Sequence, residues 1–162
     1  IRGCIGCRQC KKIGKCIFDD CVNDVVAKFI ECDGIVIESP VYFASANGTL
    51  VSFIDRLFYS SQCDKTMKVG AAVVSARRGG CSATFDELNK YFTISSMPVV
   101  SSQYWNSVHG YTAEDVRKDA EGLQTMRVLG KNMAFLIKSI QLGKEKYGLP
   151  EKEKSVHTHF IR

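Results

Sequence analysis

The sequence predicts an α/β domain built on a doubly wound parallel sheet. Three observations predict it. Short apolar runs at 34–37, 68–76 and 97–102 are bounded by turn residues, the pattern of strands buried on both faces. Each is followed by a loop and then by residues of helical period, and strand–loop–helix three times over brings every loop to one sheet edge. A chain of 162 residues, 45% hydrophobic and 24% charged, also suits a single domain with a real core.

Ahead of the first strand, the stretch GCIGCRQCKKIGKC at 3–16 places Cys4, Cys7, Cys10 and Cys16 as C-x2-C-x2-C-x5-C. Four thiols this dense favour a soft metal centre, Zn or an iron–sulfur cluster. Consecutive three-residue spacings are closer to ferredoxin-type ligation than to the two separated pairs of a zinc site. Ile17 stands where ferredoxins carry proline, and there is no second cysteine run. Zinc, disulfides and a loop of free thiols are the competing readings.

Asp19 and Asp20 supply a cap for a helix at 21–32, with Val22, Val25, Val26, Phe29 and Ile30 at helical spacing. Cys21 and Cys32 fall outside the four-cysteine pattern and read as structural. The first strand, buried at 34–37, is expected to stop where Pro40 blocks further pairing. A loop at 39–48, rich in Ser, Tyr and Phe, leads to a helix with Leu50, Phe53, Ile54, Leu57 and Phe58 on one side. Loops at the C-terminal ends of parallel strands are where such sheets bind ligands. The second strand, 68–76, empties into Arg77-Arg78-Gly79-Gly80, where glycine allows close backbone approach. A helix at 82–92 turns Phe85, Leu88 and Phe92 inward. The third strand, 97–102, leads to a loop at 103–111 with Trp105, Asn106 and His109. Thr112 caps one long helix at 113–146, striped by Val116, Ala120, Leu123, Met126, Met133 and Ile137 and widened by Leu129, Phe135, Leu136 and Ile140. Residues 1–18 form a cysteine-rich loop and 149–162 a polar tail, whose His157 and His159 read as surface residues.

The formal charge of +5 is mild, and its lysines do not interleave with aromatics, so no nucleic-acid partner is expected. No run of eighteen apolar residues is present, and no membrane span is expected. Lys11, Lys12 and Lys15 would partly offset the negative charge of a bound cluster.

SPVYFASANGTLVSFIDRLF resembles the flavin-contacting loop and helix of NAD(P)H-dependent FMN reductases of the flavodoxin-like superfamily. AAVVSARRGG, MPVVSSQYWNSVHG and EDVRKDAEGLQTMRVLGKNMAFLIKSI extend the resemblance over nearly the whole chain. The cysteine run is similar to the compact motif of the iron–sulfur flavoprotein branch. The resemblance implies a flavodoxin-like sheet. It also implies FMN, with NAD(P)H as co-substrate, and a [4Fe–4S] cluster on Cys4, Cys7, Cys10 and Cys16. Ser39, Pro40, Val41, Tyr42, Phe43, Ala44 and Ser45 match the first flavin loop, with Tyr42 or Phe43 flanking the ring; core packing is the rival role for both aromatics. Ser75, Ala76, Arg77, Arg78, Gly79 and Gly80 match the second. Arg77 and Arg78 are either solvated surface or phosphate ligands of the flavin or the nicotinamide nucleotide. Trp105, Asn106 and His109 would close the site, from a neighbouring subunit of a homodimer or homotetramer.

The family's phosphate-binding loop, on a strand and helix that open its fold, is not in these residues. About 40 residues, the scale of one βαβ unit, are expected ahead of Ile1, so that the sheet lacks its first two strands. The implied function is cytoplasmic hydride transfer from NAD(P)H to FMN, with electrons passing on to quinone, free flavin or a ferredoxin-like partner. No side-chain acid or base is required, and no catalytic residue is assigned. The rivals are a non-enzymatic flavodoxin-like carrier and a zinc-stabilised α/β module.

Overall fold

The computed structural model describes residues 1–160. Its elements run α1 (Cys10–Ile13), α2 (Cys21–Glu31), β1 (Gly34–Tyr42), β2 (Ser45–Ala46), α3 (Gly48–Ser60), β3 (Val69–Ala76), α4 (Cys81–Thr93), β4 (Ser107–His109), α5 (Ala113–Lys118) and α6 (Ala120–Tyr147). The sheet order is β2-β1-β3-β4. β1, β3 and β4 are parallel, and β2 turns back antiparallel on the end of β1. This is the expected α/β architecture.

Helices cover both faces. Ile37, Ala72 and Val74 meet Val22, Val26 and Phe29 of α2, Ile54 and Leu57 of α3, and Leu88 and Phe92 of α4. On the other face Val69, Ala71 and Val100 meet Leu129, with Met126, Met133, Ile137 and Ile140 of α6 partly buried around them. Side chains cap α2, α3 and α5 at their starts. Asp20 accepts the Val22 N–H, Asn47 those of Thr49 and Leu50, and Thr112 forms a capping box with Asp115.

Several expectations are corrected. β1 does not stop at Pro40 but continues to Tyr42, with Pro40 in register with Ser75. Among the described residues, β1 has a neighbour on one side only from Gly34 to Pro40, and a strand with one free edge tolerates proline. That edge also explains why Val36, Glu38 and Pro40 are exposed rather than buried: α6 covers β3 and leaves this part of β1 bare.

The strand expected at 97–102 touches β3 at a single bridge, Val99 to Gly70. The regular strand is β4, inside the stretch read as a loop. Between the two, the chain bows away from β3, and Asn106 fills the gap. Its side-chain amide donates to Ala72 O at 3.0 Å, and its backbone carbonyl accepts the Val74 N–H at 2.9 Å. Asn106 is therefore a buried brace, 1% exposed, and not a residue closing a site.

The long helix is two. Asp119 ends α5 and caps α6, accepting the Gly122 N–H at 2.9 Å. A carboxylate that can satisfy free N–H groups of a helix start favours a new start over an unbroken helix. Phe135, 73% exposed, and Ala120, also exposed, lie outside the buried stripe.

Candidate functional site

Two groupings stand out, joined by α3. The first lies where β1, β3 and β4 end. β1 leads into Phe43-Ala44, a two-residue hairpin between the paired Tyr42 and Ser45. Both turn residues have positive φ, 51° and 60°. Such a turn matches strand twist but is made for Asn-Gly, so a Phe-Ala pair there is strained. The strain turns Phe43 entirely into solvent, with Tyr42 about half exposed beside it. Glu87 of α4 clamps the hairpin, accepting the Ser45 hydroxyl and the Ala46 N–H, each at 2.9 Å.

The second loop meets the first. Gly80 caps α4 with φ +96°, and a Cβ there would stand 2.7 Å from Val41 Cγ1 and 3.0 Å from Ala44 Cα. The structure thus brings together the two stretches singled out in the sequence, 39–45 and 75–80. Ser39 is completely buried. Its hydroxyl accepts the Asn47 N–H at 2.9 Å, which ties the end of β1 to the start of α3. Pro40, Val41, Ser75 and Ala76 are ladder residues. Arg77, Arg78 and Gly79 are exposed, and the Arg77 guanidinium stands 5.9 Å from the Tyr111 ring.

Tyr104, Trp105 and Tyr111 are exposed around the same end of the sheet. Trp105 and His109 line a cavity of about 150 Å³ with Asp119 and Gly122. The Asp119 carboxylate is held below the usual range by the Gly122 N–H and by the His109 N–H at 2.7 Å. His109 Nε2 stands 3.7 Å from Cys81 Sγ, and burial pushes that thiol up.

Exposed aromatic rings, glycine-tight packing and two arginines on one edge fit a planar, phosphorylated ring cofactor. A cavity of about 650 Å³ lies elsewhere. It is lined by Asp33, Lys68, Val69, Ile137 and Gln141, at the N-terminal ends of β1 and β3. In a parallel sheet the ligand end is the opposite one.

The second grouping is the cysteine loop. Cys4, Cys7, Cys10 and Cys16 border one apolar pocket, closed by Ile17, Phe18, Arg56, Tyr59 and Ser60. Among the described residues, no three His, Cys, Asp or Glu side chains gather closely enough to hold one metal ion. The four cysteines line this one pocket, and a [4Fe–4S] centre takes four thiolate ligands. Donors already reach two of these sulfurs: the Gly6 N–H to Cys4 Sγ at 3.5 Å and Arg56 Nε to Cys16 Sγ at 3.3 Å. Ser60 Oγ is buried in the lining with no partner. An anionic cluster would use all three donors, so the residues fit one.

Arg56 is the residue that the sequence reading missed. It is 1% exposed, and it grips Asp20 with Nη1 at 2.7 Å and Nη2 at 2.9 Å. Nη1 also donates to Arg2 O at 3.2 Å, and the guanidinium stands 4.9 Å from the Phe18 ring. The only trace in the sequence is that Arg56 and Ser60, one turn apart, border the apolar stripe of α3. Cys21 is exposed, and the Cys32 thiol donates to Phe29 O, so neither joins the pocket. His157 and His159 lie in the tail, outside any helix or strand.

A sequence profile described as NADPH-dependent FMN reductase matches residues 3–112. An iron-sulfur flavoprotein of Methanocaldococcus jannaschii is 36% identical over 146 residues, covering 85% of this chain and 76% of its own. A second from that organism is 30% identical, covering 78% and 71%. An iron-sulfur flavoprotein of Methanosarcina thermophila is 28% identical, covering 88% and 76%. The solved rubredoxin:oxygen oxidoreductase of Desulfovibrio gigas is a looser likeness, with a TM-score of 0.46 at 15% identity over 77% of this chain and 28% of that one. The profile match and the first relative lead to one conclusion: the chain belongs to the NADPH-dependent FMN reductase family, in its iron-sulfur flavoprotein branch.

Proposed function

We propose that this protein is an FMN-dependent NAD(P)H oxidoreductase that passes electrons through a [4Fe–4S] cluster to quinone, free flavin or a ferredoxin-like partner. The observation that carries the reading is the pairing of two groupings on one helix. α3 starts at the aromatic loop edge and ends in the wall of the four-cysteine pocket. When bound, FMN takes up a hydride and can release its electrons singly, and a cluster carries one electron at a time.

Residues 39–45 and 75–80 hold the flavin through backbone groups, with Tyr42 or Phe43 against the ring. Arg77 and Arg78 meet phosphate of the flavin or of the nicotinamide nucleotide. Cys4, Cys7, Cys10 and Cys16 ligate the cluster. Arg2, Arg8, Lys11, Lys12 and Lys15 precede the first carboxylate, Asp19, so residues 1–18 carry as much positive charge as the whole chain's net +5. All five are exposed, as are Ile5 and Ile13 between them. An apolar patch ringed by cations suits an acidic redox protein. The reading includes a homodimer or homotetramer acting in the cytoplasm. Among the described residues no helix is long and apolar enough to cross a membrane.

The test is an anaerobic absorbance spectrum with iron and sulfide analysis, followed by NADPH oxidation with a quinone acceptor. Flavin and cluster together, with steady turnover, support the reading. Bound flavin without nicotinamide oxidation would leave a carrier, and a colourless protein would sink the proposal. Arg78→Ala is expected to raise KM for NADPH; unchanged kinetics would remove that role.

A further inference from the structure

The wall of α3 facing the cysteine pocket carries two buried polar groups one turn apart. Arg56 is 1% exposed and Ser60 2% exposed. Arg56 Nε already donates to Cys16 Sγ at 3.3 Å, and Ser60 Oγ has no partner at all. A buried hydroxyl left unsatisfied is uncommon and costly. A buried guanidinium is costlier, and one carboxylate on its far side, Asp20, leaves Nε directed to sulfur.

We propose that Arg56 and Ser60 are positioning residues that donate hydrogen bonds to the sulfurs of the bound centre and so raise its reduction potential. The inference rests on the cluster reading above. A [4Fe–4S] centre gains one electron on reduction and no bond to protein is made or broken. The reduced, more negative form therefore gains more from a fixed positive charge and from N–H and O–H donors. Such outer groups commonly tune a centre whose ligands are unchanged. Asp20 and Phe18 hold Arg56 in place, so its charge cannot swing away to water.

The experiment is an anaerobic redox titration of the reconstituted full chain, followed by electron paramagnetic resonance, with iron and sulfide counted in each sample. Ser60→Ala removes a group that has no protein partner, so the fold is retained. Arg56→Lys keeps the charge and loses the Nε donor. Each variant is expected to keep four irons while its midpoint moves negative. Arg56→Lys should shift the one-electron equilibrium by about tenfold, which is about 59 mV. Full clusters with midpoints equal to the parent's in both variants would overturn the inference and leave the cluster reading intact. A parent chain that takes up no iron and sulfide would overturn the cluster reading itself, and this inference with it. Should Arg56→Lys lose iron, Ser60→Ala alone decides.

Discussion

The guanidinium of Arg56 and the carboxylate of Asp20 meet face to face, at 2.7 and 2.9 Å, across the seam between α3 and the start of α2. The same carboxylate caps α2 through the Val22 N–H. One pair therefore anchors the cysteine loop to the sheet's helical layer.

Removing one partner of a buried pair costs more than the pair contributes. Arg56→Met should lower the unfolding free energy by about 2–4 kcal/mol, because Asp20 is left charged and only 28% exposed. Urea unfolding measures it, and a loss under about 1 kcal/mol would show the pair to be worth no more than a surface one.

Arg56, through its hydrogen bond, holds the Asp20 carboxyl below its ordinary value, and backbone N–H bonds do the same for Asp119. Both groups are depressed in the folded state. The stability they add is present above the unfolded carboxylate value, about 4, and lost as pH falls through the folded values. The urea midpoint should drop steeply below about pH 4. Asp20→Asn, which keeps a good cap, should be less stable at pH 7 and show a shallower acid slope. Parallel profiles would mean that Asp20 titrates alike in both states.

Cysteine substitutions should sort by position. Cys4→Ser, Cys7→Ser, Cys10→Ser or Cys16→Ser is expected to abolish the brown colour and most of the iron, with FMN retained. Cys21→Ser and Cys63→Ser, outside the pocket, should keep full iron. Loss of FMN from Cys10→Ser would instead make the loop a structural support of the flavin edge.

Gly80 and Gly79 make a matched pair. A Cβ at Gly80 collides with Val41 and Ala44 at positive φ, whereas one at Gly79 meets nothing within 4 Å. Gly80→Ala should weaken FMN binding by roughly tenfold or more, since displacing the hairpin by even a fraction of an ångström costs over a kcal/mol. Gly79→Ala should bind as the parent does. Fluorescence titration of apoprotein with FMN reads both, and equal affinities would remove the hairpin from the flavin site.

The hairpin itself stores strain. Replacing Phe43-Ala44 with Asn-Gly suits positive φ at both positions and should raise stability by about 0.5–1 kcal/mol. The same change removes the exposed ring of Phe43, so FMN should bind more weakly while the urea midpoint rises. A midpoint that falls would show that the turn is not strained.

Much was determined by the residues in order. Apolar runs and their punctuation located α2, α4 and β3 to within a residue or two and marked where α3 begins, because burial on a helix face or in a strand imposes a period that the chain must carry. The spacing of Cys4, Cys7, Cys10 and Cys16 likewise singled out the pocket, since residues of one short loop are neighbours in sequence. Other features depend on partners far along the chain and leave no local period. Asn106 replaces a missing stretch of ladder only because Ala72 is there to receive it. Asp119 breaks a helix because His109 and Gly122 offer it N–H groups. Pro40 stays in a strand because, among the described residues, no ladder on that side of β1 asks for its N–H. In the sequence Arg56 is only a charge at the border of an apolar stripe. Only packing brought Asp20 and Cys16 to it from 36 and 40 residues away, and a guanidinium can be buried only where such partners converge.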